Sequence, residues 1–178
     1  MTENFSLNAP QLPQAELGLV PVSAPVTGRV VSNDSCLKGK SASFVKHTVI
    51  DVSGTALEGH CLVGQSFGVL APGLNEKGKP HQARLYSLSC SSDGEDGAGK
   101  VISTTTKREV DEQSSQKTTD LLDDHSLFLG ICSNYLCDLK PGDEVKLTGP
   151  TGKRFLLPLA PHEHNYLFVA TGTGIAPF

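Results

Sequence analysis

Residues 127–158 read "LFLGICSNYLCDLKPGDEVKLTGPTGKRFLLP", and the changes of pattern within this stretch decide the fold. Leu127 to Leu129 reads as the end of a strand. Ser133 or Asn134 suits the N-cap of a short helix that places Tyr135, Leu136 and Leu139 on one face, and Pro141-Gly142 stops it. "EVKLTGP" alternates as a half-buried strand does, "TGK" is a turn, and "RFLLP" is a further strand running into the hinge "LAPHEH".

Moving outward toward the N-terminus, the same strand-and-turn rhythm recurs. It appears in "TGRVVS" (27–32), "SFVKHTVIDVSG" (43–54), "HCLVGQSFGVLAPG" (60–73), "ARLYSLSC" (83–90) and "KVISTTTK" (100–107). β-Branched stretches broken by glycine and proline predict a mainly β fold, an antiparallel six-stranded barrel with one short helix. In "SFVKHTVIDV" neither face is clean, which predicts a strand exposed at one end and covered at the other. "SSDGEDGAG" (91–99) and "DEQSSQKTTDLLDDHS" (111–126) are acidic and rich in small polar residues, as surface loops are.

Moving outward toward the C-terminus, "NYLFVA" (165–170) is a nearly continuous apolar run of the kind found in buried parallel strands, and it feeds the glycine turn "TGTGIAP". The expected organisation is a Pro-rich tail over 1–26, a barrel domain over 27–160, and over 161–178 the first strand of a truncated α/β domain. The tail carries Pro10, Pro13, Pro21 and Pro25 and should lie on the barrel or leave it.

Composition narrows the function. The 178 residues are 38% hydrophobic, enough for a real core. Fifteen basic and 19 acidic residues leave a net charge of -4, which gives no global basic field for nucleic acid or an anionic membrane. The sequence holds no apolar run long enough to cross a membrane and no signal-peptide pattern, so a cytoplasmic protein is expected, read as a monomer. Five cysteines without a CxxC pair suggest reduced thiols rather than disulfides or zinc.

Three motifs carry chemistry. In "TGTGIAP", Gly172 and Gly174 let the backbone approach a phosphate or a flat ring, although an ordinary strand-to-helix turn has the same form. In "RLYS", Arg84 offers a planar cation and Tyr86, two residues on, a ring and a hydroxyl on the same strand face. In "GICSNYL", the helix start presents unpaired N–H groups as a second anion site, or simply a capped helix. Lys107 and Arg108 are either a solvated strand end or a phosphate pair. His162 and His164 lack a third metal ligand, and no metal site is expected.

Taken in order, "RLYSLS", "TTTKR", "GICSNYLCDLKPGDEVKLTGPTGK" and "ATGTGIAPF" resemble the plant-type ferredoxin-NADP reductases over about residues 27 to 178. The resemblance implies an FAD-binding barrel, an NADP(H) co-substrate, and ferredoxin or a similar small acidic carrier as the partner. Two single electrons would become one hydride. It further implies that Arg84 binds the FAD pyrophosphate, that Tyr86 lies against the isoalloxazine with Leu85 beside it, and that Ser87 sits near flavin N5. Ile131, Cys132 and Ser133 would hold the pyrophosphate through the helix start, with Cys132 also near the nicotinamide. Ser87 and Cys132 are thus the implied catalytic pair. Thr105, Thr106 and Lys107 match the segment that contacts FAD and, through the lysine, NADP phosphates or ferredoxin. Thr173 would touch the pyrophosphate and the nicotinamide side.

Two departures follow. The family commonly carries an aromatic residue on the adenine four positions after the lysine, where this chain has Asp111. The implied NADP site is incomplete within these residues, so little NADPH-dependent reductase activity is expected of them alone. The rival readings are the reductase component of a multicomponent oxygenase and a non-enzymatic β-barrel binding module.

Overall fold

The computed structural model describes residues 10–39, 41, 43–112 and 127–178. The acidic segment expected as a loop therefore lies outside the described residues over 113–126.

Six strands form one antiparallel sheet. They are β1 (Val26–Ser35), β2 (Val45–Asp51), β3 (Ser66–Leu70), β4 (Arg84–Ser87), β5 (Val101–Lys107) and, numbered after two short strands, β8 (Glu144–Thr151). Their order is β4-β3-β8-β1-β2-β5. The two edge strands are brought together by hydrogen bonds from the Ser89 N–H to the Ser103 carbonyl (2.9 Å) and from Thr104 Oγ1 to the Ser87 carbonyl (2.8 Å). The sheet therefore curls until its edges meet, which leaves few unpaired edge groups open to solvent.

Alternation fills the interior. Val30, Ile50, Phe67, Val69, Ile102, Val145 and Leu147 are all buried to within 2% exposure, which is where most of the hydrophobic stabilisation resides. The mixed pattern of β2 resolves as its sequence implies, for Phe44 just before the strand is 59% exposed while Ile50 near its other end is fully covered.

The helix α1 (Ile131–Asp138) closes one end of the sheet, burying Cys132, Leu136 and Cys137. Its C-terminal carbonyls would otherwise be orphaned. Asn33 Nδ2 on β1 donates to the carbonyls of Leu136 (2.9 Å) and Leu139 (2.8 Å), while Asn33 Oδ1 accepts from the buried Thr48 hydroxyl. Arg108 holds the helix from the β5 side. It donates to Asn134 Oδ1 at 2.7 Å, pairs with Asp138 and stands over the Phe44 ring.

The tail lies on the barrel. Val20 is buried and exchanges backbone hydrogen bonds with Gly149, while the Gly18 N–H reaches the Pro150 carbonyl. The buried Gln65 side chain donates to the carbonyls of Glu16 and Gly152, fastening tail and sheet together. At Gly64, φ is +86° and a Cβ would fall 1.5 Å from the Phe155 carbonyl oxygen, so only glycine allows this close approach.

Several local expectations change. The N-cap of α1 is Gly130, not Ser133 or Asn134, because the Ser133 hydroxyl is occupied within the first turn, donating to the Gly130 carbonyl and accepting the Glu109 N–H. The segment "RFLLP" is not a strand. Leu127–Leu129 is a strand as expected, β7, and it pairs with β6 (Val110–Glu112), a partner not foreseen from sequence, setting Asp111 opposite Phe128. Residues 165–170 make no ladder among the described residues, and Leu167 and Val169 are 88% and 80% exposed, as a strand without neighbours would be. The glycine turn forms a 3-10 turn over Gly172–Ile175.

Candidate functional site

Where the sheet edges meet, two adjoining clefts open beside the start of α1. The first, about 610 Å³, is lined by Arg84, Leu85 and Tyr86 from β4, by Gly130 to Ser133 from the helix start, and by Ala71, His81, Gln82, Glu109 and Phe128. The second, about 430 Å³, takes Leu85, Tyr86, Ser87 and Ser89, then Thr104 to Lys107 along the free edge of β5, with Glu109, Ser133, Thr173, Gly174, Ala176 and Pro177. Leu85, Tyr86, Glu109 and Ser133 belong to both, so the clefts form one groove.

Each residue to which the resemblance assigns a cofactor contact lines this groove. Arg84 lies in the first cleft, Ser87, Thr105, Thr106, Lys107 and Thr173 in the second, Leu85, Tyr86 and Ser133 at the junction, and Ile131 and Cys132 at the helix start. Segments more than 80 residues apart in sequence are thereby gathered onto one surface. Arg108 is excluded, since its guanidinium is spent on α1. His162 and His164 do not line the groove, and no metal-binding cluster occurs among the described residues.

The register explains the placement. Tyr86 pairs with the fully buried Phe67 across β3–β4, which fixes the partly buried tyrosine at the lip. Burial, followed by the effect of the neighbouring Cys132 thiol, pushes its phenol well above the usual pKa. Burial likewise raises the Cys132 thiol, which also donates to the Val69 carbonyl at 3.6 Å. Both groups stay protonated and uncharged near neutrality, so Cys132 is a small packing and hydrogen-bonding group rather than an activated nucleophile.

The helix start presents unpaired N–H groups, with the Glu109 carboxyl close by. The first-turn N–H groups of Ile131 to Ser133 have no intrahelical acceptors. No acidic residue occupies the first turn and no side chain caps it. A Cβ on Gly130 would lie 2.5 Å from Glu109 Oε2 and 2.8 Å from Ser133 Oγ, so a larger residue here would displace both side chains from the helix start. Arg84, in the same cleft, makes no hydrogen bond or ion pair among the described residues. In the second cleft two buried hydroxyls, Ser89 Oγ and Thr106 Oγ1, lack partners among the described residues.

Sequence reasoning missed Glu109, Ser89, His81 and Phe128. Glu109 was legible only as a neighbour of the basic pair. Its position depends on backbone hydrogen bonds with Gly130 and Ser133 across more than 20 residues, which no local pattern reports.

No family model matches the chain. Among curated proteins it is 41% identical over 155 residues to the ferredoxin–NADP reductase of Thermosynechococcus vestitus, covering 86% of this chain and 37% of that protein. It is 40% identical over 154 residues to the chloroplastic leaf isozyme 1 of Arabidopsis thaliana, covering 86% and 39%. Among solved structures, the ferredoxin-NADP+ reductase of Plasmodium falciparum superposes with a TM-score of 0.66 at 28% identity, over 88% of this chain and 51% of that one. The same protein with 2'P-AMP gives 0.67 at 28% identity, over 90% and 52%. The chain thus spans about two fifths of the length of the curated relatives it matches. Sequence and fold agree that this chain is a relative of the ferredoxin–NADP reductases over the part of their length that it spans.

Proposed function

We propose that this chain is the FAD-binding portion of a ferredoxin–NADP reductase-like flavoenzyme that passes electrons between ferredoxin and NADP(H). The observation that carries the reading is the convergence of "RLYS", "TTTK", the helix start and the glycine turn on one groove. The residues fit the group. Two buried hydroxyls without partners, Ser89 Oγ and Thr106 Oγ1, suit a polar ring edge, since an unsatisfied buried hydroxyl costs about 1–3 kcal/mol. An arginine without a partner among the described residues, beside uncapped helical N–H groups, suits a pyrophosphate.

In this reading Arg84 and the N–H groups of Ile131, Cys132 and Ser133 hold the phosphates. Tyr86 supplies a flat wall for the isoalloxazine, with Leu85 beside it. Thr105, Thr106 and Lys107 bound the ring along the open β5 edge, and Lys107 leaves a cation for NADP phosphates or for an acidic carrier. Ser87, Cys132 and Thr173 are small, and so allow a second ring to approach while water is excluded. FAD, when bound, supplies the chemistry that joins one-electron to two-electron transfer.

The test is direct. The purified protein should be yellow, with absorption near 450 nm, or should take up added FAD. Arg84→Ala should weaken FAD by about 1.5–3 kcal/mol, the worth of a charge-assisted contact. A colourless protein that refuses FAD, or full retention by the variant, would count against the assignment. None of the described helices is long and apolar enough to cross a membrane.

A further inference from the structure

A dinucleotide cofactor has two ring systems joined through phosphates, and the groove has features for each in turn. Tyr86 and Ser133 mark the junction of the clefts, while Arg84 and Gly130 to Cys132 at the helix start line only the first cleft, together with the β7 residue Phe128. Resting on the flavin reading above, we propose that Phe128 is the stacking platform for the adenine end of the cofactor, and so selects FAD over FMN.

The position follows from the ribbon of β6 and β7. Phe128 pairs with Asp111, so the two side chains share one face, while Leu127 and Leu129 alternate to the other. Neither leucine lines the groove, whereas Phe128 does. It remains 46% exposed, an open phenyl face not consumed by core packing. Tyr86 apart, it is the only phenyl ring among the described residues on the wall of this cleft. With phosphates at Arg84 and the helix start, and the flavin ring at Tyr86 and the second cleft, the remaining ring of the ligand falls in the first cleft. A base stacks on an aromatic face without needing specific hydrogen bonds, and such contacts are lost on alanine substitution.

The test compares Phe128→Ala and Phe128→Trp with the unaltered chain, titrating FAD, FMN and ADP. Phe128→Ala should weaken FAD and ADP by about tenfold or more and leave FMN within about twofold. Phe128→Trp should retain FAD. Equal losses for FAD and FMN would mean that the ring only shapes the cleft, and no loss for FAD would mean that it does not touch the ligand; either overturns the proposal. If neither flavin binds but ADP does, in a Phe128-dependent way, the flavin reading fails and the adenine platform stands. ADP binding indifferent to Phe128→Ala, or no binding of any of the three, overturns it.

Discussion

At the residue scale, two groups at the centre of the groove are kept neutral by burial. Cys132 and Tyr86 are each held in the protonated form, so neither adds negative charge to the place proposed for phosphates, which the Glu109 carboxyl already borders. The same physics acts in the core, where burial pushes the Cys61 thiol up from 9.0 to about 12. The folded chain keeps that proton to about pH 12, whereas the unfolded chain loses it near pH 9. The resulting stability is complete below pH 9 and is lost as the pH rises toward 12. Cys90, Cys132, Cys137 and Tyr135 shift in the same direction. Urea midpoints measured under reducing conditions should therefore fall steadily above pH 9, and Cys61→Val should fall less steeply. A flat profile, or an unchanged slope in the variant, would contradict this account. The residues of the groove were largely readable from sequence because each sits in a short motif whose chemistry is local. Glu109 and Phe128 were not, since neither belongs to such a motif and each reaches the groove through long-range pairing.

At the scale of elements, the site depends on where α1 starts and how it is held. Asn33 alone accommodates two C-terminal carbonyls of the helix and the hydroxyl of fully buried Thr48. Asn33→Ala would leave those groups unsatisfied at once. The expected loss is about 2–3 kcal/mol in chemical denaturation, with weaker flavin retention as the helix start loosens; a stability change under about 0.5 kcal/mol would show that water replaces Asn33 without penalty. The strands β1 to β5 and β8 were legible from β-branched runs between turn residues, because a half-buried strand must alternate whatever its partners are. The helix start was displaced in the sequence reading, since Ser133 has the residue type of an N-cap but spends its hydroxyl on Gly130 and Glu109. The β6–β7 ribbon was hidden by the acidic, loop-like composition beside it. That ribbon also bears on the ring missing at position 111, for Asp111 has Phe128 directly across the ladder.

At the scale of the molecule, antiparallel curling brings the sheet edges together and leaves the outer edge of β5 facing the helix start and the glycine turn. One groove results from four separated stretches. The resemblance to reductases implied those contacts residue by residue, whereas strand spacing alone could not have said which edges would meet. The central claim is that these stretches bind one cofactor together, and amide hydrogen exchange with and without one equivalent of FAD tests it most directly. The account predicts slowed exchange in Arg84–Ser87, Thr105–Lys107, Ile131–Ser133 and Gly172–Gly174 together, with the remote turn at Thr55–Gly59 unchanged. Slowing confined to a single stretch, or to none of the four, would contradict it.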